Sequence, residues 1–343
     1  MKTRSLLMGI DIGSTSVKCV AMTPEGEIAG SATGMYPMSS PHPGWVEQNP
    51  KHWWRAVVRA VRECLGRVED GGRVSAVSFS GHMSALVLLD GRGEPVRPSM
   101  LVADTRCREE TVLLRGRYAN EFKSLTGNVP IEAFVAPRLL WLKKHEPESL
   151  AKAAAMVFPK DYIRYRFTGR LATEPTDAGN TLLYDPAKGE WAWELIRELG
   201  LDPGLFPPLC RTAEAIGSVS REAARLTGLP EGIPVVAGGA DMACSQLGTG
   251  AIREGVMSVT LSTSAQIVVP LRSPPPSLAG LVTFHPSAVE GTLYGMGTVF
   301  TGGLGVDWAL RLLTGSGGGA RKRSLERWTE EMKELPPASR GLL

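Results

Sequence analysis

At 343 residues, with 43% apolar and 21% charged side chains, the chain has an ordinary globular composition and length enough for two domains. Its formal charge of +3 gives no reason to expect nucleic acid or an anionic membrane surface as a partner. The five cysteines form no Cys-x-x-Cys pair and the five histidines show no metal-ligand spacing, which argues for reduced thiols in a cytoplasmic protein and against structural zinc.

Lys2 and Arg4 before Leu6-Leu7-Met8 imitate the start of a signal peptide, but Asp11 ends the apolar run far too early for one. Residues Ser5 to Gly30 read as three short strands in an antiparallel meander. The first turn is Asp11-Ile12-Gly13-Ser14-Thr15 and the second Thr23-Pro24-Glu25-Gly26-Glu27. Asn49-Pro50 then opens a helix, as an N-cap followed by proline, with Trp54, Val57, Val61 and Leu65 on one face. Trp53-Trp54 could stack on a ligand ring, but their helical register favours a core anchor.

Val74 to Phe79 and Leu86 to Leu89 read as strands, Leu139 to Lys144 and Trp191 to Leu199 as helices. Pro234 to Ala237 is a short strand running into Gly238-Gly239-Ala240-Asp241 and a following helix. Near Gly255 the pattern restarts: Val256 to Leu261, a polar tip Ser262-Thr263-Ser264-Ala265, then Gln266 to Val269. This second strand–tip–strand unit suggests a duplicated fold. Gly315 to Ala320 reads as a loop before a charged helix that begins near Arg321-Lys322-Arg323 and a Pro336-Pro337 connector.

The tip at residues 11 to 15 has a physical use. Glycine lets backbone N–H groups approach an anion, hydroxyls add donors, and Asp11 at a strand end can hold a divalent metal through water. Lys18 adds a point charge nearby. The alternative is a polar hairpin turn without chemistry; the paired tip at 262 to 265 favours a phosphate clamp. No Walker-type loop is present, so nucleotide binding would not be of the P-loop kind. Asp241, at the carboxyl end of a strand, can take a proton from an attacking hydroxyl. As a helix N-cap it would do nothing of the kind, and spacing by itself favours the N-cap.

With these residues in place the sequence resembles the FGGY family of carbohydrate kinases, and within it the xylulokinase group. Asp11-Ile12-Gly13-Ser14-Thr15 resembles the first phosphate motif, and Gly44-Trp45-Val46-Glu47-Gln48 with Trp53-Trp54 is similar to a xylulokinase stretch. Gly81-His82-Met83 and Asp104-Thr105-Arg106 fall where the family has sugar-pocket segments. Pro159-Lys160-Asp161-Tyr162 and Thr176-Asp177-Ala178 match further blocks, and Gly238-Gly239-Ala240-Asp241 resembles the block of the catalytic base.

The resemblance implies an α/β, ribonuclease-H-like (actin-like ATPase) fold with two domains around a cleft. They fall at residues 1–245 for sugar, first phosphate loop and base, and 246–343 for an incomplete second domain lacking the adenosine site. It implies ATP and Mg2+ as cofactors, a small sugar as substrate, no nucleic-acid or membrane partner, and leaves a homodimer open. Asp241 becomes the base; Asp11 the metal carboxylate; Gly13, Ser14, Thr15, Lys18, Thr263 and Ser264 the phosphate contacts; His82, Met83, Ser84, Asp104 and Met242 the sugar pocket.

The sequence departs from the xylulokinase pattern at several places. Ser84 replaces a histidine, His82 a glutamine, Val102-Ala103 a Trp-Asn pair and Met242 an asparagine, while Ser262 and Ala265 replace glycines. Such changes alter selectivity, because a site built to pair hydroxyls rejects what it cannot pair. Three outcomes are open: a ketopentose kinase acting on a sugar such as D-xylulose, a kinase for another polyol or sugar acid of gluconate or glycerol type, and an impaired sugar-binding fragment. Family members continue well beyond residue 343, so this chain alone is expected to bind ATP poorly and turn over slowly.

Overall fold

The computed structural model describes residues 4–69, 72–261, 265–299, 301–314 and 318–334. Its first sheet begins with β1 (Arg4–Ile12), β2 (Ser16–Met22) and β3 (Ile28–Met35), consecutive and antiparallel. Along β1 the side chains of Leu6, Met8, Ile10 and Ile12 are buried while Leu7 is exposed, the alternation of a strand with one face on a core. That face is covered by α1 (Pro50–Gly66), capped by Asn49, whose Oδ1 accepts the Lys51 N–H at 2.9 Å. Trp53 and Trp54 are both buried in this core, as their register predicts.

On its other side β1 pairs in parallel with strand Gly72–Gly81. Pro234–Val236 and Gly239–Ala240 are both parallel to that strand, and Ala215–Ser218 closes the edge antiparallel to Pro234–Val236. An antiparallel meander continued by parallel strands is the ribonuclease-H-like, actin-like arrangement expected from the sequence. A second core, which the sequence reading did not separate, is built from residues between Leu86 and Phe206 and includes Phe122, Phe134, Leu139, Phe158 and Trp191.

The second sheet is an antiparallel four-stranded one, in the order Ser258–Leu261, Ala265–Leu271, Leu293–Val299, Thr283–Pro286. The two strands of the expected unit are therefore present and antiparallel, with Leu261 paired to Ala265, while residues 262–264 of its tip lie outside the described residues. Some boundaries differ from expectation. Trp191 belongs to a short strand, Glu190–Trp191, and the helix starts at Trp193, because Trp191 is buried with its Nε1 donating to Pro207 O at 2.9 Å. Gly318 to Ala320 lie in helix Gly318–Met332 rather than in a loop; Gly315, Ser316, Gly317 and Pro336-Pro337 lie outside the described residues. Among the described residues no helix is long and apolar enough to cross a membrane.

Candidate active site

Strand register assembles the site. Asp11 lies opposite Ser80 and Ile12 opposite Gly81, while Ala240 pairs with the same Gly81. Asp11, the His82-Met83 loop and Asp241 therefore meet at the carboxyl ends of three adjacent strands, where α/β sheets collect their ligands. Gly238 makes the last approach workable. Its φ is +77°, and a Cβ there would fall 1.9 Å from Phe79 O, so only glycine lets the chain turn into Asp241.

Asp241 is the first residue of helix Asp241–Thr249, and its Oδ1 accepts the Met242 N–H at 2.8 Å. Burial, and then the negative charge of Asp11, push its carboxyl up to about 7, against the pull of the Met242, Met83 and Asp241 backbone N–H groups. A carboxylate so placed is poised to exchange a proton near neutral pH. It is at once a helix-start residue and a candidate base.

Asp11 has one carboxylate oxygen, Oδ1, buried without a protein partner. Its Oδ2 stands 3.9 Å from Lys18 Nζ across the β1–β2 pairing. Among the described residues no group of three or more His, Cys, Asp or Glu forms a metal cage. One or two carboxylates with an open oxygen are the donor set that suits Mg2+, which keeps its waters and takes substrate phosphate oxygens. The residues fit that ion.

The tip itself is held from behind. Tyr36 donates its hydroxyl to Gly13 O, and Gln48 Nε2 donates to Ser14 O at 2.7 Å. Gln48 is in turn fixed by Trp53 Nε1 at 3.0 Å, and the side chains of Ser14, Thr15 and Lys18 stay exposed. Thr263 and Ser264 lie outside the described residues.

His82 is buried, and both its backbone N–H and its Nδ1 reach Ile12 O, at 2.8 and 2.9 Å. Burial lowers its pKa, so the ring is neutral, Nδ1 donates, and Nε2 keeps a lone pair without a protein partner. Trp53 packs edge-on against it at 5.5 Å. Met83 brings its N–H to Asp241. Ser84 adopts φ +64°, a strained backbone of the kind concentrated in binding loops. Its carbonyl accepts from Arg138, a fully buried guanidinium that also donates to Val102 O at 3.0 Å and Glu132 O at 2.9 Å. Met242 packs with Ala243, Val268 and Tyr294.

Asp104 is placed differently. It is fully buried, and its oxygens accept the Val46 N–H at 2.7 Å, the Arg106 N–H at 3.1 Å and the Arg106 guanidinium at 2.6 to 3.0 Å. Arg106 also reaches Glu47 at 2.7 Å and lies 3.6 Å over the Trp45 ring. A sugar hydroxyl reaching Asp104 would have to displace one of these bonds. Sequence reasoning gave no role to Arg138, Gln48 or Tyr36, because no spacing signal announces a side chain whose partner is a distant carbonyl.

Comparison with known proteins adds an independent line. Residues 6–248 match the model of the FGGY family of carbohydrate kinases, N-terminal domain. The chain is 31% identical over 338 residues to xylulose kinase of Bacillus subtilis (strain 168), and 35% identical over 259 residues to xylulose kinase of Escherichia coli (strain K12). These matches take in 98% and 76% of this chain but 66% and 53% of those relatives, so the chain spans less than two thirds of their length. The crystal structure of xylulose kinase from Rhodospirillum rubrum superposes with a TM-score of 0.88 at 29% identity, over 97% of this chain and 68% of that one. With the strand order, the convergence of Asp11 with Asp241 and a match over residues 6–248, the chain belongs to the FGGY family of carbohydrate kinases.

Proposed function

We propose that this chain supplies the sugar pocket, first phosphate loop and catalytic base of an ATP-dependent sugar kinase acting in the cytoplasm. Residues 1–245 would form the sugar-binding domain and 246–343 part of the second. The observation that carries the reading is the convergence of Asp241 and Asp11 at the carboxyl ends of the two strands that flank Gly72–Gly81. A sugar hydroxyl, seated against His82, Met83 and Ser84, gives its proton to the Asp241 carboxylate as its oxygen attacks the γ-phosphorus of ATP. The new O–P bond forms while the bond to the β,γ-bridging oxygen breaks, and ADP leaves.

Asp11 would hold Mg2+ through its open oxygen, and the ion, when bound, neutralises charge on the phosphate oxygens. Gly13, Ser14 and Thr15 offer backbone and hydroxyl donors to phosphate, Lys18 adds charge, and Thr263 and Ser264 would supply the facing clamp. His82 Nε2 is ready to accept a hydrogen bond from a sugar hydroxyl, since its own ring proton is committed to Ile12 O. Asp104 would shape the pocket wall through Arg106.

The relatives' names point to a ketopentose such as D-xylulose as the first substrate to try. A second reading, another polyol or a sugar acid, is favoured by Ser84 in its strained loop and by apolar Met242 beside the base. An ADP-release assay over D-xylulose, other ketopentoses, gluconate and glycerol separates them, with calorimetric titration of each sugar in parallel. Asp241→Asn is expected to lower kcat by about 10²- to 10⁴-fold and to leave sugar affinity within about threefold. Undiminished turnover would remove Asp241 from the role of base, and sugar binding without turnover of any sugar would overturn phosphotransfer by this chain.

A further inference from the structure

Two sequence blocks without a role in the chemistry above, Pro159-Lys160-Asp161-Tyr162 and Thr176-Asp177-Ala178, converge behind the base. Lys160 Nζ lies 2.7 Å from Asp161 Oδ1, 2.9 Å from Asp177 Oδ2 and 3.1 Å from Glu174 Oε1. Arg164 reaches Asp161 at 3.0 Å and donates to Ala237 O at 2.9 Å. All five residues are buried. Glu174 is fixed further by the backbone N–H groups of Thr176 at 2.8 Å and Asp177 at 3.2 Å.

Thr176 carries this order to the base. Its hydroxyl donates to Glu174 Oε1 at 2.7 Å and accepts the Ala240 N–H at 2.8 Å. The direction of both bonds is forced: a carboxylate that is the hydroxyl's acceptor leaves the oxygen lone pair facing an N–H that can only donate. Ala240 is the residue immediately before Asp241. The approach depends on Gly239, where a Cβ would come within 3.2 Å of Thr176 Oγ1.

We infer that Thr176, held by the buried Lys160–Glu174 ion pair, is the positioning residue that sets the place of the Asp241 carboxylate. The inference rests on the reading of Asp241 as base. The chain of bonds is charge-assisted at its root and terminates one residue from the reacting group, so loosening it moves the base without touching the sugar pocket. Misplacement by a fraction of an ångström is costly in transfer reactions, where about 1 Å can lose 10²-fold.

The test compares Thr176→Val, which keeps the shape and removes the hydroxyl, with Thr176→Ser, which keeps the hydroxyl. Thr176→Val is expected to lower kcat by roughly 10- to 100-fold with the sugar KM within about threefold, and Thr176→Ser to restore kcat to within about threefold of wild type. The Ala240 amide should exchange with solvent at least about tenfold faster in Thr176→Val than in the other two. A kcat within twofold of wild type in Thr176→Val, equal impairment of both variants, or a loss confined to KM would overturn the inference. Should Thr176→Val not fold, Glu174→Gln takes its place, and an unchanged kcat there overturns it too. If wild type phosphorylates no sugar, the phosphotransfer reading fails by itself. The positioning role is then decided by the amide: unchanged Ala240 protection in Thr176→Val defeats it.

Discussion

Asp241 and Asp11 lie at the ends of strands that flank Gly72–Gly81, and the Asp11 charge makes the Asp241 carboxyl harder to ionise. Burial and the Asp11 charge raise Asp241 from 3.8 to about 7. Between those values the folded chain binds more protons than the unfolded one, so this residue's contribution to stability falls as pH rises from about 4 to about 7 and is level above. Asparagine carries no charge and avoids the cost. Asp241→Asn is therefore expected to melt at a higher temperature than wild type at pH 8 and at the same temperature near pH 4. Discounted for partial exposure the gain is about 1–2 kcal/mol, a few degrees in a thermal melt. An equal Tm difference at both pH values would show that the ionised carboxylate is not under strain. The position of Asp241 was legible in the sequence, since Gly-Gly at a strand end announces a turn. The raised pKa was not, because Asp11 lies 230 positions away in the chain.

Elements carry the second layer of the design. Helix Pro159–Thr168 holds Lys160, Asp161 and Arg164 in the interior, against Glu174 and Asp177 from the loop and short helix beyond. Three carboxylates share two cations there, and burial with the neighbouring Asp161 and Glu174 charges pushes Asp177 up to about 8 despite Lys160. Lys160→Met removes a cation on which all three carboxylates depend. It is expected to cost about 3–5 kcal/mol of stability, the typical penalty of an orphaned buried charge, read as a lower urea midpoint at unchanged slope. A loss below about 1 kcal/mol would mean that water or protonation already serves the cluster. Nothing in the spacing of Pro159-Lys160-Asp161-Tyr162 separates such a helix from a solvated one; its charges are interior only because Glu174 and Asp177 arrive to meet them.

Across the whole molecule, the second sheet is tied by a polar clamp to loops outside both sheets. Strand Thr283–Pro286 is an edge of the second sheet, and Asn128 covers it as a partner strand would. Asn128 Nδ2 donates to Phe284 O and its Oδ1 accepts the Phe284 N–H, both at 2.8 Å. Thr212 Oγ1 adds a bond to Ala288 O at 3.0 Å. Asn128→Ala would leave two buried backbone groups unpaired, at an expected cost of about 2–3 kcal/mol. Limited proteolysis should then cut between residues 258 and 299 at least about tenfold faster, while the first sheet resists as before. Equal cutting rates in variant and wild type would show that the clamp does not hold the second sheet in place.

The sequence by itself determined the local elements: the β1–β3 meander, the Asn49-capped helix with its buried tryptophans, the Gly-Gly turn into Asp241 and the second strand–tip–strand unit. Those signals are short-range, made of turn chemistry and hydrophobic period, and they survive without knowledge of neighbours. Only the tertiary structure decided that Asp11 and Asp241 share one site, that Asp104 spends both oxygens on Arg106 and the Val46 N–H, and that Lys160 and Thr176 stand behind Asp241. Apart from Arg106 beside Asp104, these are meetings between residues far apart in the chain, with no period to betray them. Whether a charge is buried depends on a partner that only folding delivers.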